Sequence, residues 1–254
     1  MRIETLGGGP DLVLLHGWAM HAGIFAPLSE RLAKTFRVHL VDLPGHGYSR
    51  DDVENLDPAQ CAAMLATRVP RALWIGWSLG GLIALHAALD NADNVRGLAM
   101  IAASPCFVAA ADWPYGVKRE VFEQFDAGLR SEYRATIDRF LALEALGSQH
   151  TQACLHELRT HVFGRGEPAL AALEAGLRAL ETTDLRARLT QLTVPSLWLA
   201  GRRDRLVPEA AMRWSAQQSP QGHFVEFASG HAPFIGHADA VAAAIVAFAH
   251  GLPA

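Results

Sequence analysis

The sequence predicts an α/β protein in which a mostly parallel central sheet is covered by helices on both faces. Short apolar runs typical of buried strands alternate along the chain with segments of helical periodicity. The run "DLVLLHGW" ends at His16 and Gly17, and the next strand covers Val38 to Asp42. "LWIGWS", "VRGLAMIAASP", "VPSLWLAG" and "HFVEFA" follow as further strands. The segments "LGGLIALHAALDN", "VPEAAMRWSAQQ" and "DAVAAAIVAFAH" supply the covering helices.

A long helical stretch interrupts this alternation between Pro105 and about Arg188. Apolar residues recur at helical spacing through "KREVFEQFDAGLRSEYRATIDRFLALEALG", and "TQACLHELRTHVF" and "PALAALEAGLRAL" continue the pattern. We therefore predict a core formed by residues 1–105 and 189–254, with residues 106–188 inserted as a helical lid.

The composition is that of an ordinary globular enzyme and excludes several other classes. The chain has 254 residues, of which 50% are hydrophobic and 19% charged, so one large domain is expected. A net charge of −4 gives no electrostatic footprint for nucleic acid. The three cysteines match neither a disulfide framework nor a zinc site, which favours a reducing compartment.

Targeting and membrane signals are missing from the sequence as given. The N-terminal stretch lacks the continuous apolar segment and cleavage site of a signal peptide, and no run approaches the roughly 18 apolar residues of a membrane span. We expect a cytoplasmic protein without membrane association, and we expect it to be a monomer.

The stretch "WIGWSLGGL" places Ser78 among glycines directly after a predicted strand. One interpretation is a tight strand-to-helix turn in which the glycines allow close packing and the serine merely caps the helix. The other is the nucleophile elbow G-x-S-x-G of the α/β-hydrolase fold, which lifts the serine hydroxyl above the sheet. The motif alone leaves both open, so the decision depends on an acid, a base and an oxyanion hole elsewhere in the chain.

An acid and a base follow in the order that the α/β-hydrolase fold requires. Asp204 comes directly after the strand in "LWLAGRRDRLVP", and His231 directly after the last strand in "VEFASGHAPF". In such a triad histidine takes the serine proton, and the carboxylate fixes the tautomer of the ring. A solvated turn residue is the alternative for Asp204. The other common acid position reads "AASPCF" and offers only Ser104, which favours Asp204.

Two backbone N–H groups are predicted to form the oxyanion hole. One belongs to Leu79, the residue after the nucleophile at the start of a helix, and the other to Trp18 in "LLHGWAMH". The triad and these donors together predict a serine hydrolase that needs no metal and no organic cofactor.

Two other interpretations of the motifs are weaker. "VDLPGHGYSR" suggests a dinucleotide fingerprint, but Arg50 occupies the third glycine position and the motif comes second in the sheet.

Serine at position 78 also argues against the dehalogenase and epoxide hydrolase branches of the fold, which use aspartate there. Esterases, thioesterases, carbon–carbon bond hydrolases and the hormone-receptor branch all retain the serine, and the triad does not separate them.

The whole chain resembles the BioH-type pimeloyl-[acyl-carrier protein] methyl ester carboxylesterases of biotin synthesis. "LVLLHGW", "HLVDLPGHGYSR" and "WIGWSLGGL" are similar to that family but belong partly to the fold. More specific are "AASPCF", "RFLALEALG", "TTDLR" and "GHAPFIGH". The resemblance spans nearly all of the chain and is weakest at about residues 148–180.

The resemblance implies an esterase that removes methanol from the methyl ester of a pimeloyl chain carried on an acyl-carrier protein. It implies that Ser78, Asp204 and His231 are catalytic and that Trp18 and Leu79 form the oxyanion hole. The implied substrate-binding residues are these and the following: Trp77, Phe140, Leu141, Ala142, Leu143 and Glu144. Ordinary core packing is the alternative role for some of them.

The resemblance also implies that basic residues of the lid contact the acidic carrier protein. The candidates are Arg134, Arg139 and Arg159, but acidic residues lie among them, so a solvated face of mixed charge is the alternative.

Two other functions remain open at this point. One is a broad short-chain carboxylesterase or thioesterase, and the other is a non-catalytic α/β hydrolase that uses its pocket to bind a ligand.

Overall fold

The computed structural model describes residues 1–52, 56–148 and 151–253. Within those ranges seven strands form one sheet in the order β1-β3-β2-β4-β5-β6-β7. The strands are β1 Arg2–Gly7, β2 Asp11–Leu15, β3 Arg37–Asp42, β4 Ala72–Trp77, β5 Val95–Ile101, β6 Ser196–Gly201 and β7 Gly222–Phe227. β1 pairs antiparallel with β3, and the other neighbours pair in parallel. The predicted mostly parallel sheet is therefore confirmed.

The central strands are mostly apolar because both faces of the sheet are covered. Every residue of β4 and of β6 is buried, whereas the edge strand β7 is half-buried. Parallel strands end at the same edge of a sheet, so the loops after β2, β4, β6 and β7 converge there. The four loops that carry the predicted catalytic groups thus share one end of the molecule.

The described residues contain nine α-helices. They are α1 Ala26–Leu32, α2 Pro58–Ala66, α3 Leu79–Asp90, α4 Arg119–Ser131, α5 Tyr133–Ala145, α6 Thr151–Gly164, α7 Leu170–Thr182, α8 Glu209–Gln218 and α9 Phe234–His250. α1 packs against α9, α2 packs against α3, and α8 packs on β6 and β7. None of the described helices is long and apolar enough to cross a membrane.

Helices α4 to α7 lie between β5 and β6 in the chain, and we call residues 106–188 the insert. Its two ends are joined, because the N–H of Leu185 donates to the carbonyl of Pro105 over 2.9 Å and Cys106 pairs with Asp184 in an isolated antiparallel bridge. Residues 53–55, 149–150 and 254, which the predicted core and lid include, lie outside the described ranges. The division into core and lid stays a prediction.

A small apolar cluster anchors the base of the insert to the core. Trp113 is buried against Cys106 and against Ala211 and Trp214 of α8. Its indole N–H donates to the carbonyl of Cys106 over 3.0 Å, and the Arg186 guanidinium lies 5.2 Å from the centre of its ring. The base of the insert is therefore held on α8 as well as by the pairing of its two ends.

Candidate functional site

Ser78 lies on a strained turn between β4 and α3. Its backbone has φ of 53° and ψ of −120°, a conformation that costs a non-glycine residue about 1–3 kcal/mol. The turn is tight enough to exclude a side chain at Gly76, where a Cβ would lie 2.2 Å from the carbonyl oxygen of Gly80. The N–H of Ser78 donates to the carbonyl of Ile101 over 3.0 Å, which fixes the turn to β5. This geometry is that of a nucleophile elbow.

Asp204 and His231 form a buried hydrogen-bonded pair. Nδ1 of His231 lies 2.8 Å from Oδ2 of Asp204, so the ring donates its Nδ1–H to the carboxylate. The other carboxylate oxygen accepts the N–H groups of Leu206 and Val207 over 2.8 and 3.0 Å. Nε2 of His231 is buried and has no hydrogen-bond partner among the described residues. The ring is thus held with an unprotonated nitrogen available as a base.

Trp77 connects the loop of His231 to the strand that carries Ser78. Its indole N–H donates to the carbonyl of His231 over 2.8 Å, and the two rings lie 5.8 Å apart. Phe234 packs edge-on against the same indole at 5.1 Å. Because Trp77 directly precedes Ser78, these contacts bring the histidine loop beside the serine.

The peptide between Gly17 and Trp18 is oriented by His16. The Nδ1–H of His16 donates to the Gly17 carbonyl over 2.8 Å, and Nε2 accepts the N–H of Leu43 over 3.0 Å. In a trans peptide the N–H points opposite to the carbonyl, so this bond turns the Trp18 N–H away from His16. The N–H of Leu79 belongs to the first turn of α3, where backbone donors have no partner within the helix.

Three buried histidines in and near the loop after β2, which carries Trp18, are uncharged. Burial lowers the pKa of His16 to about 3 and the pKa values of His21 and His46 to about 4. Asp42 accepts the N–H groups of Ala22 and Tyr48 over 2.7 and 2.8 Å. Although burial acts to raise the pKa of Asp42, these N–H donors and the guanidinium of Arg165, 3.1 Å from its carboxylate, lower it below its ordinary value.

These histidines predict a loss of stability in mild acid. In the unfolded chain these histidines take up protons below about pH 6.5, whereas in the folded protein they do so only at about pH 4 or lower. The free energy of unfolding that they contribute is therefore fully present above pH 6.5 and is lost as the pH falls from 6.5 to about 4. Each histidine contributes about 1.4 kcal/mol per pH unit there. We expect the urea midpoint to fall between pH 7 and pH 5, and His46→Gln to reduce the slope while the exposed His223→Gln leaves it unchanged. A midpoint independent of pH over this range contradicts the prediction.

A narrow apolar pocket lies at Ser78 under the insert. It is lined by Ser78 and by apolar side chains of the insert and the acid loop, namely Phe107, Val117, Val121, Phe122, Phe125, Phe140, Leu177, Leu180 and Leu206. Its free volume of about 30 Å³ holds one or two water molecules. The α4 residues of this set, Val121, Phe122 and Phe125, were not among the predicted substrate-binding residues, although their helical spacing marks one apolar face.

The other residues predicted to bind substrate lie at different depths. Phe140 lines the pocket with Ser78, whereas Leu141 and Glu144 are fully buried. Leu143 is half-buried and Ala142 is exposed. Their assignment as substrate-binding residues stays a prediction.

The predicted carrier-contact arginines are all exposed and all engaged with acidic residues of the insert. Arg134 pairs with Glu167 at 2.8 Å, Arg139 with Glu132 at 3.3 Å and Arg159 with Asp138 at 2.8 Å. Such exposed pairs stabilise a protein by only about 0–1 kcal/mol, so a charged partner can replace them.

The insert holds the indole of Trp18 in place. The indole N–H donates to the carbonyl of Leu173 in α7 over 2.8 Å, and the ring packs edge-on against Phe140 at 4.7 Å. A Cβ at Gly176 would lie 2.9 Å from the Trp18 ring and 3.0 Å from the side chain of Leu79. α7 therefore lies directly on the two residues predicted to form the oxyanion hole, a contact that the sequence gives no signal for.

We expect Gly176→Ala to impair this arrangement. The added methyl group forces Trp18 or α7 to move, which costs about 1–3 kcal/mol and lowers the melting temperature by several degrees. A displaced Trp18 N–H lowers kcat for a small ester about tenfold or more. Gly164→Ala in α6 is the matched control, because its Cβ would lie 3.8 Å from the ring of His21, an ordinary contact. Equal kcat values for the two variants contradict the prediction.

The fold and the site define an α/β hydrolase, and the family model of the alpha/beta hydrolase fold matches residues 10–238. A pimeloyl-[acyl-carrier protein] methyl ester esterase of Xanthomonas campestris is 55% identical over 254 residues, all of both chains. That of Stenotrophomonas maltophilia is 54% identical over 99% of this chain and 97% of its own. The chain belongs to the family of pimeloyl-[acyl-carrier protein] methyl ester esterases, as its resemblance predicts.

Solved structures agree on the fold. An esterase from Exiguobacterium antarcticum matches with a TM-score of 0.88 at 22% identity, covering 97% of this chain and 94% of its own. An enol-lactonase from Burkholderia xenovorans matches with a TM-score of 0.85 at 22% identity, covering 98% and 96%. At such identity these likenesses show the fold alone.

Proposed function

We propose that the protein hydrolyses the methyl ester of pimeloyl-[acyl-carrier protein] to the free acid and methanol in biotin synthesis. The single observation that carries this function is the full-length 55% identity to curated esterases of that name. The buried pair of Asp204 and His231 beside the strained Ser78 supports a serine mechanism. The protein acts in the cytoplasm, as a monomer, without metal or organic cofactor.

The chemistry follows from the roles of three side chains. His231 accepts the hydroxyl proton of Ser78 at Nε2 while the serine oxygen attacks the ester carbonyl carbon. The N–H groups of Trp18 and Leu79 stabilise the oxyanion, and Asp204 stabilises the imidazolium. The carbon–oxygen bond to the methoxy group then breaks, and His231 returns its proton to release methanol. Water attacks the acyl-enzyme by the same route and frees the acid and Ser78.

The pocket favours an uncharged acyl chain. Its lining beyond Ser78 is apolar, so a free carboxylate would lose its hydration without gaining a partner there, whereas a methyl ester has no charge to desolvate. The product acid is charged and leaves the pocket for the same reason. Because the free volume holds only one or two waters, helices of the insert must move to admit a seven-carbon chain.

A specific observation favours a second candidate, a broad esterase of short free esters. Arg134, Arg139 and Arg159 each have an acidic partner within the insert, which weakens the insert as a docking surface for an acidic carrier.

The two candidates predict different responses to charge on the insert. If the carrier docks there, Arg139→Glu with Arg159→Glu raises KM for the carrier-bound ester several-fold and leaves p-nitrophenyl butyrate unaffected, because charge steering acts only on the charged substrate. The opposite changes, Glu132→Gln and Asp138→Asn, release the same arginines and keep KM equal or lower it. Added salt reduces these differences, since exposed charges are screened beyond about 8 Å at physiological ionic strength. Equal loss on both substrates would indicate a damaged insert, and no loss on either supports the broad esterase.

Growth tests the proposed function in the cell. A bacterial strain that lacks its own pimeloyl ester esterase should grow without biotin when it carries this chain and should fail with the Ser78→Ala variant. Absence of rescue by a well-expressed wild-type chain contradicts the proposed substrate.

A further inference from the structure

The C-terminal end of α5 lies between the loops that carry Asp204 and His231. A Cβ at Gly147 would lie 2.2 Å from the carbonyl oxygen of Arg203, the residue before Asp204. A Cβ at Gly230, the residue before His231, would lie 2.4 Å from the carbonyl oxygen of Leu146. Backbone thus meets backbone on both sides, so the position of this part of the insert and the positions of the two loops depend on each other.

Glu144 is the last acidic residue of α5 before this contact, and it is fully buried. Neither of its carboxyl oxygens has a hydrogen-bond partner among the described residues. Asp204, by contrast, uses one oxygen for two backbone N–H groups and the other for His231. A buried carboxyl without partners is costly to maintain, and the apolar packing of α5 gives no reason for an acid at this position.

We propose that Glu144 is a positioning residue of the esterase site: its buried carboxyl couples the end of α5 to the Asp204 and His231 loops, so that the pair is in order only while α5 stays packed between them. The proposal rests on the proposed triad. It goes beyond the substrate-binding role that the resemblance implies for Glu144, because it assigns the side chain an effect on the Asp204 and His231 loops and not on the substrate.

The electrostatic surroundings determine which form of the carboxyl this packing tolerates. Burial, and then the charge of Asp204, raise the pKa of Glu144 well above its ordinary value of 4.5. Cys154 of α6 is also close enough to interact electrostatically with Glu144, and burial raises the pKa of its thiol to about 11, so it carries no charge near neutral pH. Arg203 directs its guanidinium to the carbonyl of Ala228 over 2.6 Å and is exposed. Of the other titratable groups of these loops, His231 donates to Asp204, Arg202 bonds to Glu226, and Arg205 is exposed.

The packed arrangement is therefore the one with Glu144 uncharged. Because the pKa of Glu144 is higher in the folded protein than in the unfolded chain, its protonated carboxyl contributes to stability at low pH. This contribution is lost as the pH rises from 4.5 through the pKa in the folded state. Ionised Glu144 places a second negative charge beside Asp204, and the end of α5 then leaves its position. We infer that the pair loses its order, and the enzyme its activity, on the alkaline side.

The test compares pH profiles of kcat for methyl butyrate, followed by automatic titration of the released acid. Each enzyme is referred to its own rate at neutral pH. The wild type and the matched control Glu123→Gln, an exposed carboxyl of α4, should lose activity together at alkaline pH. Glu144→Gln has no proton to lose and should retain at least about tenfold more of its neutral rate one pH unit above the wild-type midpoint. Parallel alkaline limbs for wild type and Glu144→Gln overturn the proposal.

A second measurement needs no substrate and so separates this proposal from the proposed function. The Nδ1–H of His231, hydrogen-bonded to the Asp204 carboxylate, is expected to give a strongly downfield proton resonance. It should disappear from the wild-type spectrum over the same alkaline range and persist in Glu144→Gln, while circular dichroism shows both proteins folded. Disappearance at the same pH in both proteins shows that Glu144 does not position the pair, whatever the substrate is.

Discussion

Replacing Ser78 by alanine is expected to lower kcat for p-nitrophenyl butyrate by about 10³- to 10⁶-fold. The expectation follows from the strained turn, which places Ser78 in the lining of the apolar pocket, and from His231, whose Nδ1–H bond to Asp204 leaves Nε2 as the acceptor nitrogen of the neutral ring. The serine makes no side-chain contact that caps α3, so the fold should be unaffected. Steady-state kinetics together with a melting curve check both parts.

A control variant at the same position separates catalysis from strain. Ser78→Gly should be equally inactive but more stable than Ser78→Ala by about 1 kcal/mol or more, because glycine adopts the left-handed φ of 53° without strain. A folded Ser78→Ala variant with near wild-type turnover would remove the serine from the mechanism.

His231→Ala is expected to cost nearly as much, since the base and the nucleophile act as a unit. The matched controls are His223→Ala and His237→Ala, which change histidines of the preceding strand and the following helix. Neither bonds to Asp204, so each should stay within about tenfold of wild type, less than 1.4 kcal/mol of barrier. If His237 proves essential and His231 dispensable, the hydrogen-bonded pair is not the catalytic one.

The strands and the order of the site were predictable because they depend on local pattern. Continuous apolar runs produced the buried parallel strands, and each strand-ending loop could be searched for one required residue type. The antiparallel edge strand β1 carries no such pattern, since all six of its residues are half-buried or exposed. Its direction depends on pairing with β3, a contact between distant segments.

The contribution of the insert to the site was not predictable from the sequence. α7 bonds the indole of Trp18 through the carbonyl of Leu173, and a carbonyl is present whatever the side chain is. Gly176 is recognisable as important only once α7 is placed over Trp18 and Leu79. The same holds for Glu144, which the resemblance marked as a substrate contact. Glu144 and Asp204 are about 60 residues apart in the sequence, and only the packing of α5 against the acid loop brings them close together.

Ser78 is proposed to displace methanol from a carrier-bound pimeloyl methyl ester. The most direct measurement is mass spectrometry of pimeloyl-[acyl-carrier protein] methyl ester incubated with the purified chain, with methanol determined in parallel. We expect a carrier lighter by one methylene unit, an equal amount of methanol, an intact thioester, and no reaction with Ser78→Ala. An unchanged carrier, or a carrier that has lost its whole acyl group by thioester cleavage, would contradict this proposal.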